Sequence, residues 1–347
     1  MTAKMIEIEG VSHAFDGMGI LNKVSFDVEP GEIVGVLGAS GSGKTTLLRM
    51  LAGFIVPNSG SIRINGQLVA EKGRELVPTE ARGVGLLFQD FALFPHMTVA
   101  DNVAYGLHRR PEQRQTVEAL MSAVGLDGYC DRMPNTLSGG QKQRVALIRA
   151  LAPKPSVVLL DEPFANLDTM MRLSLGGTVR KMLKEQGVGA LLVTHDRREA
   201  FALCDRVAIL GVATAGHAGA ELLQLDTPER LYAHPATLSV AQMTGTAYAL
   251  SGQTEGGVCT TRLGQLATHQ NASGFGTAII RYEQLAFSVD RQGEYEVVSS
   301  HFEGPYYMLQ LQGPDGSVSV SAKRPSPIGC RGRVEVSGPI AFVNESS

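Results

Sequence analysis

Gly38-Ala39-Ser40-Gly41-Ser42-Gly43-Lys44-Thr45, followed by Thr46, matches the pattern GxxxxGK[ST] in full. The glycines let the backbone curl so that successive N–H groups face inward, where phosphate oxygens would lie. Lys44 adds a point charge near the β and γ phosphates, and Thr45 offers a hydroxyl to Mg²⁺. The helix that follows presents its positive end to the same anion. An ordinary glycine-rich turn would need none of this context. Here the near-continuous apolar run Ile33-Val34-Gly35-Val36-Leu37 leads in, and Thr46 to Leu51 continues at helical spacing. The chemistry implied is that of ATP, with Gly38 to Thr46 as its phosphate loop.

A second chemical cluster ends another apolar run, Leu159-Leu160-Asp161-Glu162-Pro163. Ligands of parallel sheets sit at the carboxyl ends of strands. Asp161 is placed there to hold Mg²⁺, directly or through water, and Glu162 to orient and deprotonate an attacking water. A solvated strand end would look the same in isolation; the phosphate loop upstream is what favours catalysis. Leu137-Ser138-Gly139-Gly140-Gln141 precedes the helical run Val145 to Leu151. Ser138 and Gln141 have the form of a capping box, which explains a well-started helix. Gly139 and Gly140 leave that helix start open to close approach by an anion. A generic phosphate-loop protein has no use for this second site.

The ordered set Gly38–Thr45, Gln89, Leu137–Gln141, Leu160-Asp161-Glu162-Pro163, Leu167-Asp168 and His195 resembles the ATP-binding cassette ATPases, whose signature is the run LSGGQ. The resemblance covers roughly residues 4–240. It implies a homodimer packed head to tail, in which Ser138, Gly139, Gly140 and Gln141 of one copy complete the ATP site of the other. It gives Gln89 the role of sensing Mg²⁺ and the attacking water, and His195 that of a switch at the γ-phosphate that stabilises transition-state charge. Phe15 takes the place of the aromatic that stacks on adenine, against the plainer reading of a core residue. Asp168 keeps the carboxylate of the loop Ala165-Asn166-Leu167-Asp168, which departs from the common SALD. Catalysis is thereby assigned to Glu162, His195, Gln89 and Lys44, and Mg²⁺ to Thr45, Gln89 and Asp161.

The stretch 211–221 is longer than usual before Gln224-Leu225-Asp226-Thr227-Pro228, which leaves the strand pairing over 211–226 open. The stretch Phe88 to Val99 and Asn102 to Leu107 is most similar to the ferric-iron and polyamine importer subunits. Phe91, Leu93 and Phe94 are then expected to form the groove for a permease helix, or else plain core. The resemblance implies an ATPase subunit on the cytoplasmic face of the inner (plasma) membrane, held peripherally by two transmembrane permease subunits and served indirectly by a periplasmic or surface solute-binding protein. Ferric iron is the expected solute, with polyamine, phosphonate, sulfate and sugar as alternatives. Soluble cassette ATPases of translation, repair or chromosome maintenance usually add a second cassette, a zinc module or a long coiled coil, and none is visible here.

These residues need elements to position them. The chain has 347 residues, long enough for two domains, with 44% hydrophobic and 19% charged residues. A net charge of −3 argues against nucleic acid as a partner. The cysteines, Cys130, Cys204, Cys259 and Cys330, form no CxxC pair and no disulfide framework, which suggests a reducing compartment. No run of about 18 apolar residues is long enough to span a membrane. Residues 1–30 alternate as antiparallel strands, while buried runs at 33–37, 157–160, 190–193 and 207–210 alternate with helices at 140–152, 169–186 and 197–204. The expected fold is an α/β phosphate-loop NTPase domain over 1–240, with a mainly parallel sheet, an antiparallel β subdomain and a helical subdomain at 96–133. Thr227-Pro228 opens a short helix stopped by Pro235. Short alternating strands beyond about Ala241 predict a small all-β, OB-like barrel domain over 241–347. His269 and His301 are expected to be isolated surface residues.

Overall fold

Strands that are apolar on both faces must be covered on both, and this requirement organises the first part of the molecule. The computed structural model describes residues 4–88, 91–107, 113–212, 219–314 and 316–344. Two compact units divide the chain, Met1–Pro228 and Glu229–Ser347.

In the first unit β1 (Ile6–Phe15) and β2 (Met18–Val28) form an antiparallel hairpin with one buried face. The chain then enters β3 (Ile33–Gly38), buried along its whole length, and α1 (Lys44–Ala52). β4 (Ser59–Ile64), β5 (Gln67–Glu71) and β6 (Arg74–Glu75) extend the hairpin into a sheet of order β2-β1-β4-β5-β6. After β7 (Val84–Leu87) comes a helical region with α2 (Val99–Ala104), α3 (Gln113–Ala123) and α4 (Gly139–Leu151). The α/β alternation resumes with β8 (Val157–Asp161), α5 (Thr169–Gln186), β9 (Gly189–Thr194), α6 (Arg197–Leu203) and β10 (Arg206–Gly211). β11 (Glu221–Asp226) closes the second sheet, whose order is β11-β10-β3-β9-β8-β7. Its pairs from β10 to β7 are parallel. β11 is antiparallel to β10, from Val207 opposite Asp226 to Gly211 opposite Glu221. That resolves the pairing the sequence left open. α1 lies between the two sheets, with Leu47, Leu48, Met50 and Leu51 in a core shared with Val34, Val36, Ile62 and Leu159.

The second unit takes up the helices α7 (Pro228–Ala233), from Glu229 onward, and α8 (Leu238–Thr244). The sequence pattern ends the helix at Pro235 and begins the β region near Ala241. The structure instead places α8 across that point, capped by the Thr237 hydroxyl accepting from Val240 N–H at 3.2 Å. Ala241 packs on Ile279 and Ala341. The buried Arg281 guanidinium donates to the carbonyls of Tyr232 and Ala241, at 2.7 Å each, so both helices are tied to the β unit and the units meet at 228/229, not at 240/241. The remaining strands are β12 (Ala247–Glu255), β13 (Val258–Thr261), β14 (Gly264–Ala267), β15 (Gly274–Arg281), β16 (Leu285–Val289), β17 (Tyr295–Phe302), β18 (Tyr307–Gly313), β19 (Gly316–Ala322), β20 (Arg331–Val336) and β21 (Ala341–Asn344). They form two antiparallel sheets, β14-β13-β12-β15-β21 and β16-β20-β17-β18-β19, around one apolar core that includes Leu250, Val297, Leu309 and Val320. His269 and His301 are exposed but not isolated. The His269 ring stands edge-on to His234 at 4.9 Å, and His301 lies 3.2 Å from Glu303.

Candidate functional site

Three neighbouring strands of the parallel sheet deliver the chemical residues to one edge. β3 ends at Gly38, β9 at Thr194 and β8 at Asp161, and they are adjacent in the order β3-β9-β8. Leu37 stands opposite Thr194, and Asp161 opposite Val193. The phosphate loop, His195 and Glu162 therefore leave the sheet side by side, where ligands of open α/β sheets bind.

The loop is built as its sequence suggests. Gly41 and Gly43 sit at φ +82° and +79°, the left-handed region where glycine is favoured. A Cβ on Gly43 would come within 2.6 Å of the Leu21 side chain. Ser40, Gly41, Ser42, Gly43, Lys44, Thr45 and Thr46 line a pocket with Ile20 and Glu162. Ala39 stays at the loop's base, its carbonyl turned to the lysine. Lys44 is 8% exposed, and its Nζ donates to Gly38 O at 2.8 Å and Ala39 O at 2.9 Å. Burial lowers its pKa against the pull of Glu162 and Asp161. The Ser42 hydroxyl is buried with no partner among the described residues, and within this pocket a phosphate oxygen would satisfy it.

Thr45 Oγ1 lies 3.4 Å from Asp161 Oδ1. Burial pushes the Asp161 carboxyl above its ordinary value, against the Thr45 hydrogen bond. Mg²⁺ fits this corner: it favours hard oxygen donors and usually takes only one or two protein carboxylates beside phosphates and water. Consistent with that habit, no cage of three or more His, Cys, Asp or Glu gathers among the described residues.

Glu162 has φ +48°, a strained conformation for a residue with a side chain. Its N–H donates to Val193 O at 2.9 Å, and its Oε1 lies 2.8 Å from His195 Nδ1. The Glu162 side chain is 21% exposed and that of His195 63%. Two residues 33 apart in the sequence thus meet at one edge of the sheet. Gln89 lies outside the described residues. Phe15 is 47% exposed at the tip of the β1–β2 hairpin, opposite Met18 and edge-on to His13 at 4.6 Å. It is thus not core, and it shares its hairpin with Ile20 of the phosphate pocket.

The signature turn is separate within the chain. Ser138 caps α4 by accepting from Gln141 N–H at 3.3 Å, and Gln141 Oε1 accepts from Ser138 N–H at 2.9 Å. A Cβ on Gly139 would meet nothing within 4 Å, whereas one on Gly140 would come within 2.9 Å of Leu167. Among the residues lining the phosphate pocket there is none from this turn. Asp168 caps α5, accepting from Met171 N–H at 3.0 Å.

Four polar residues escaped the sequence reading. Gln143, on the buried face of α4 with Ala146, Leu147 and Ala150, bonds the backbone of Glu162 and Asn166. Arg172 joins Asp196, at 2.6 Å, to Leu167 O, at 3.3 Å, so the segment after His195 is tied to the Asp168 loop. Asn102, fully buried, donates to the carbonyls of Phe94, Met97 and Thr98 and accepts from Phe94 N–H. Arg149 donates to Phe91 O at 2.9 Å and Ala92 O at 2.7 Å, fixing two residues at positive φ. A polar side chain on an apolar helical stripe is the signal for Gln143 and Asn102. For the two arginines no sequence signal exists, because their acceptors are backbone carbonyls or come from distant segments.

Known proteins resemble this chain along most of its length. The ABC transporter family model matches residues 21–165. A protein described as Fe(3+) ions import ATP-binding protein FbpC 2, from Rhodococcus jostii, is 40% identical over 318 residues, 90% of this chain and 89% of that one. Its counterpart in Serratia marcescens is 36% identical over 338 residues, 95% of each chain. The dimeric structure of MJ0796, a bacterial ABC transporter cassette, superposes with a TM-score of 0.56 at 28% identity, covering 64% of this chain and 98% of that one.

Proposed function

The chain belongs to the ATP-binding cassette transporter family, and from that membership we propose that it is the ATP-hydrolysing subunit of an importer that works through two separate permease subunits. The observation that carries the reading is the pairing of Glu162 with His195 at 2.8 Å, at the mouth of a phosphate loop with a buried lysine. A strained, half-buried carboxylate beside an imidazole is what a general base and its partner need.

In the cycle this implies, the loop N–H groups and Lys44 Nζ bind the β and γ phosphates, and Phe15 stacks on adenine. Thr45 and Asp161, with Gln89, would hold Mg²⁺, which when bound neutralises charge on the phosphate oxygens. Glu162 accepts a proton from the attacking water as its oxygen bonds to the γ phosphorus. The bond to the β–γ bridging oxygen breaks, and ADP leaves with that electron pair. Nδ1–H of His195 donates to the Glu162 carboxylate in one tautomer. In the imidazolium form the ring also offers Nε2–H to a γ oxygen. Lys44 and the N–H groups hold the growing negative charge where it forms.

Ser138 and its glycines supply the other face of the nucleotide from a second copy. The dimeric MJ0796 cassette supports this, as does the absence of the signature turn from its own chain's phosphate pocket. The segment 91–105, held by Arg149 and Asn102, is our candidate for the permease contact. There the Phe94 ring lies tilted against that of Tyr105, 4.4 Å between centroids, and the half-exposed Phe54 lies 5.3 Å from Phe88. No helix among the described residues is long and apolar enough to cross a membrane, so attachment through permeases at the inner face suits the chain. Ferric iron, delivered by a solute-binding protein, is the solute we assign, on the strength of the iron-import relatives. The all-β unit is read as an OB-like regulatory module. Glu162→Gln tests the mechanism: turnover should fall by about 10²–10⁴-fold, while ATP stays bound and the chain runs as a dimer. Normal turnover in that variant overturns the assignment of the base. Iron uptake restored by this gene, but not by the variant, in cells lacking it tests the solute.

A further inference from the structure

We infer that Gln143 is a positioning residue that couples the two half-sites carried by one chain: the base Glu162, which it keeps, and the turn Ser138–Gln141, which it lends. The inference rests on the ATPase reading and adds a residue to which that reading gives no role.

Gln143 is 1% exposed and lies in the second turn of α4, the helix that starts at the Ser138 cap. Both ends of its carboxamide are used. Nε2 donates to Glu162 O at 3.1 Å, and Oε1 accepts from Asn166 N–H at 3.2 Å. A backbone carbonyl only accepts and a backbone N–H only donates, so this orientation of the amide is the one that satisfies both. The two bonds span the segment from Glu162 to Asn166.

Glu162 needs such support. Its φ of +48° is a conformation that surroundings must impose on a residue with a side chain. Its N–H is fixed to Val193 O, from the strand that ends just before His195, and its C=O is fixed to Gln143. The peptide that carries the base is thus clamped between the histidine strand and the signature helix. There is little slack elsewhere in the link. A Cβ on Gly140 would come within 2.9 Å of Leu167 Cδ2 and 3.4 Å of Asn166 O. A shift of α4, when its N-terminal turn takes up a phosphate, is transmitted through Gln143 to the backbone of Glu162. The base in each chain then responds to engagement of the turn that the same chain lends, and hydrolysis becomes cooperative in ATP.

The test uses the full chain with two substitutions. Gln143→Met keeps length and loses both hydrogen bonds, whereas Gln143→Glu keeps the acceptor for Asn166 and loses the donor to Glu162. We expect Gln143→Met to lower kcat by about tenfold, the scale of a small misplacement of a catalytic group. The Hill coefficient for ATP should fall toward unity, while the Kd of a fluorescent ATP analogue and the thermal midpoint stay close to the parent's. Gln143→Glu should fall between the two. Unchanged kcat and cooperativity in a folded Gln143→Met protein overturn the inference, as does parallel loss of kcat, affinity and thermal midpoint in both variants, which marks plain packing. If the methionine variant does not fold, the glutamate variant decides by the same criteria. A parent chain that binds ATP without hydrolysing it overturns the proposed function instead, and the two failures are thereby told apart.

Discussion

Two helix starts in the first unit are both rich in glycine, and they are finished in opposite ways. α1 begins after Gly43, at φ +79°, with no side chain bonding its first N–H groups. α4 begins after Ser138 and is closed by a complete capping box. The first turn of a helix leaves N–H groups without intrahelical partners. In our reading those of α1 are kept for a ligand, in company with a buried lysine and a serine hydroxyl that has no partner among the described residues. At α4 the chain satisfies its own cap and leaves Gly139 facing open space. In our reading the unfinished start binds the nucleotide within its own chain, and the finished, open one completes the site of a second copy.

The largest effect that separates the two follows from removing the lysine. Lys44→Ala should weaken ATP binding by about 100-fold, the loss of one charge-assisted pair of contacts, roughly 3 kcal/mol. Ser138→Ala should leave the affinity of the isolated chain within about twofold. Titration with a fluorescent ATP analogue measures both. Equal losses would break the distinction, because the signature turn would then belong to the site of its own chain.

The second effect concerns what the unfinished site costs the fold. Asp161 is raised above its ordinary value of 3.8, chiefly by burial. At neutral pH the carboxylate is ionised both folded and unfolded, so the fold bears the whole penalty of burying the charge. As pH falls toward the raised pKa the folded chain takes up the proton first, and the penalty disappears. Asp161→Asn should therefore raise the thermal midpoint of the nucleotide-free protein at about pH 7, with a gain that shrinks as the pH falls into the acid range. The same variant should lose the extra stability that magnesium and ATP give the parent. A midpoint that falls at neutral pH would mean that the carboxylate is a net support of the fold.

The same contrast explains what was legible in the sequence. The phosphate loop, the acidic pair at the end of β8 and the signature turn are local, and their chemistry lies in residue type and spacing. The parallel strands were legible as apolar runs, because a strand covered on both faces has no reason to alternate. β7 was not, since Val84-Gly85-Leu86-Leu87 is short and interrupted by glycine. Neither was α8, whose seven residues give barely two turns of periodicity before β12 begins. The couplings were hidden for another reason. Gln143 shows only as a polar residue on an apolar stripe; its partners, like those of Arg172 and Arg149, include backbone groups 5 to 58 residues away, which leave no trace in residue identity. Asp161, Glu162 and His195 were legible as groups, but the 2.8 Å between the last two is a product of strand order.

The smallest effects give the sharpest test, because they should have opposite signs at neighbouring positions. Ser138→Ala removes the acceptor for Gln141 N–H and should cost about 1 kcal/mol, a fall of roughly 2–4 °C in the midpoint of a unit this size. Gly139→Ala places a methyl where no atom of the described residues lies within 4 Å, at a helical residue without positive φ. Alanine is favoured over glycine in a helix by about 0.5–1 kcal/mol, so the midpoint should hold or rise slightly. Yet that methyl stands on the face that the proposed second copy would approach. Steady-state hydrolysis should therefore fall in Gly139→Ala while stability does not, and ATP binding by the isolated chain should be unaffected. Calorimetry and turnover on the same preparation measure both quantities. If hydrolysis and stability moved together at Gly139, the turn would be an ordinary helix start. If they part, its openness exists for a neighbour.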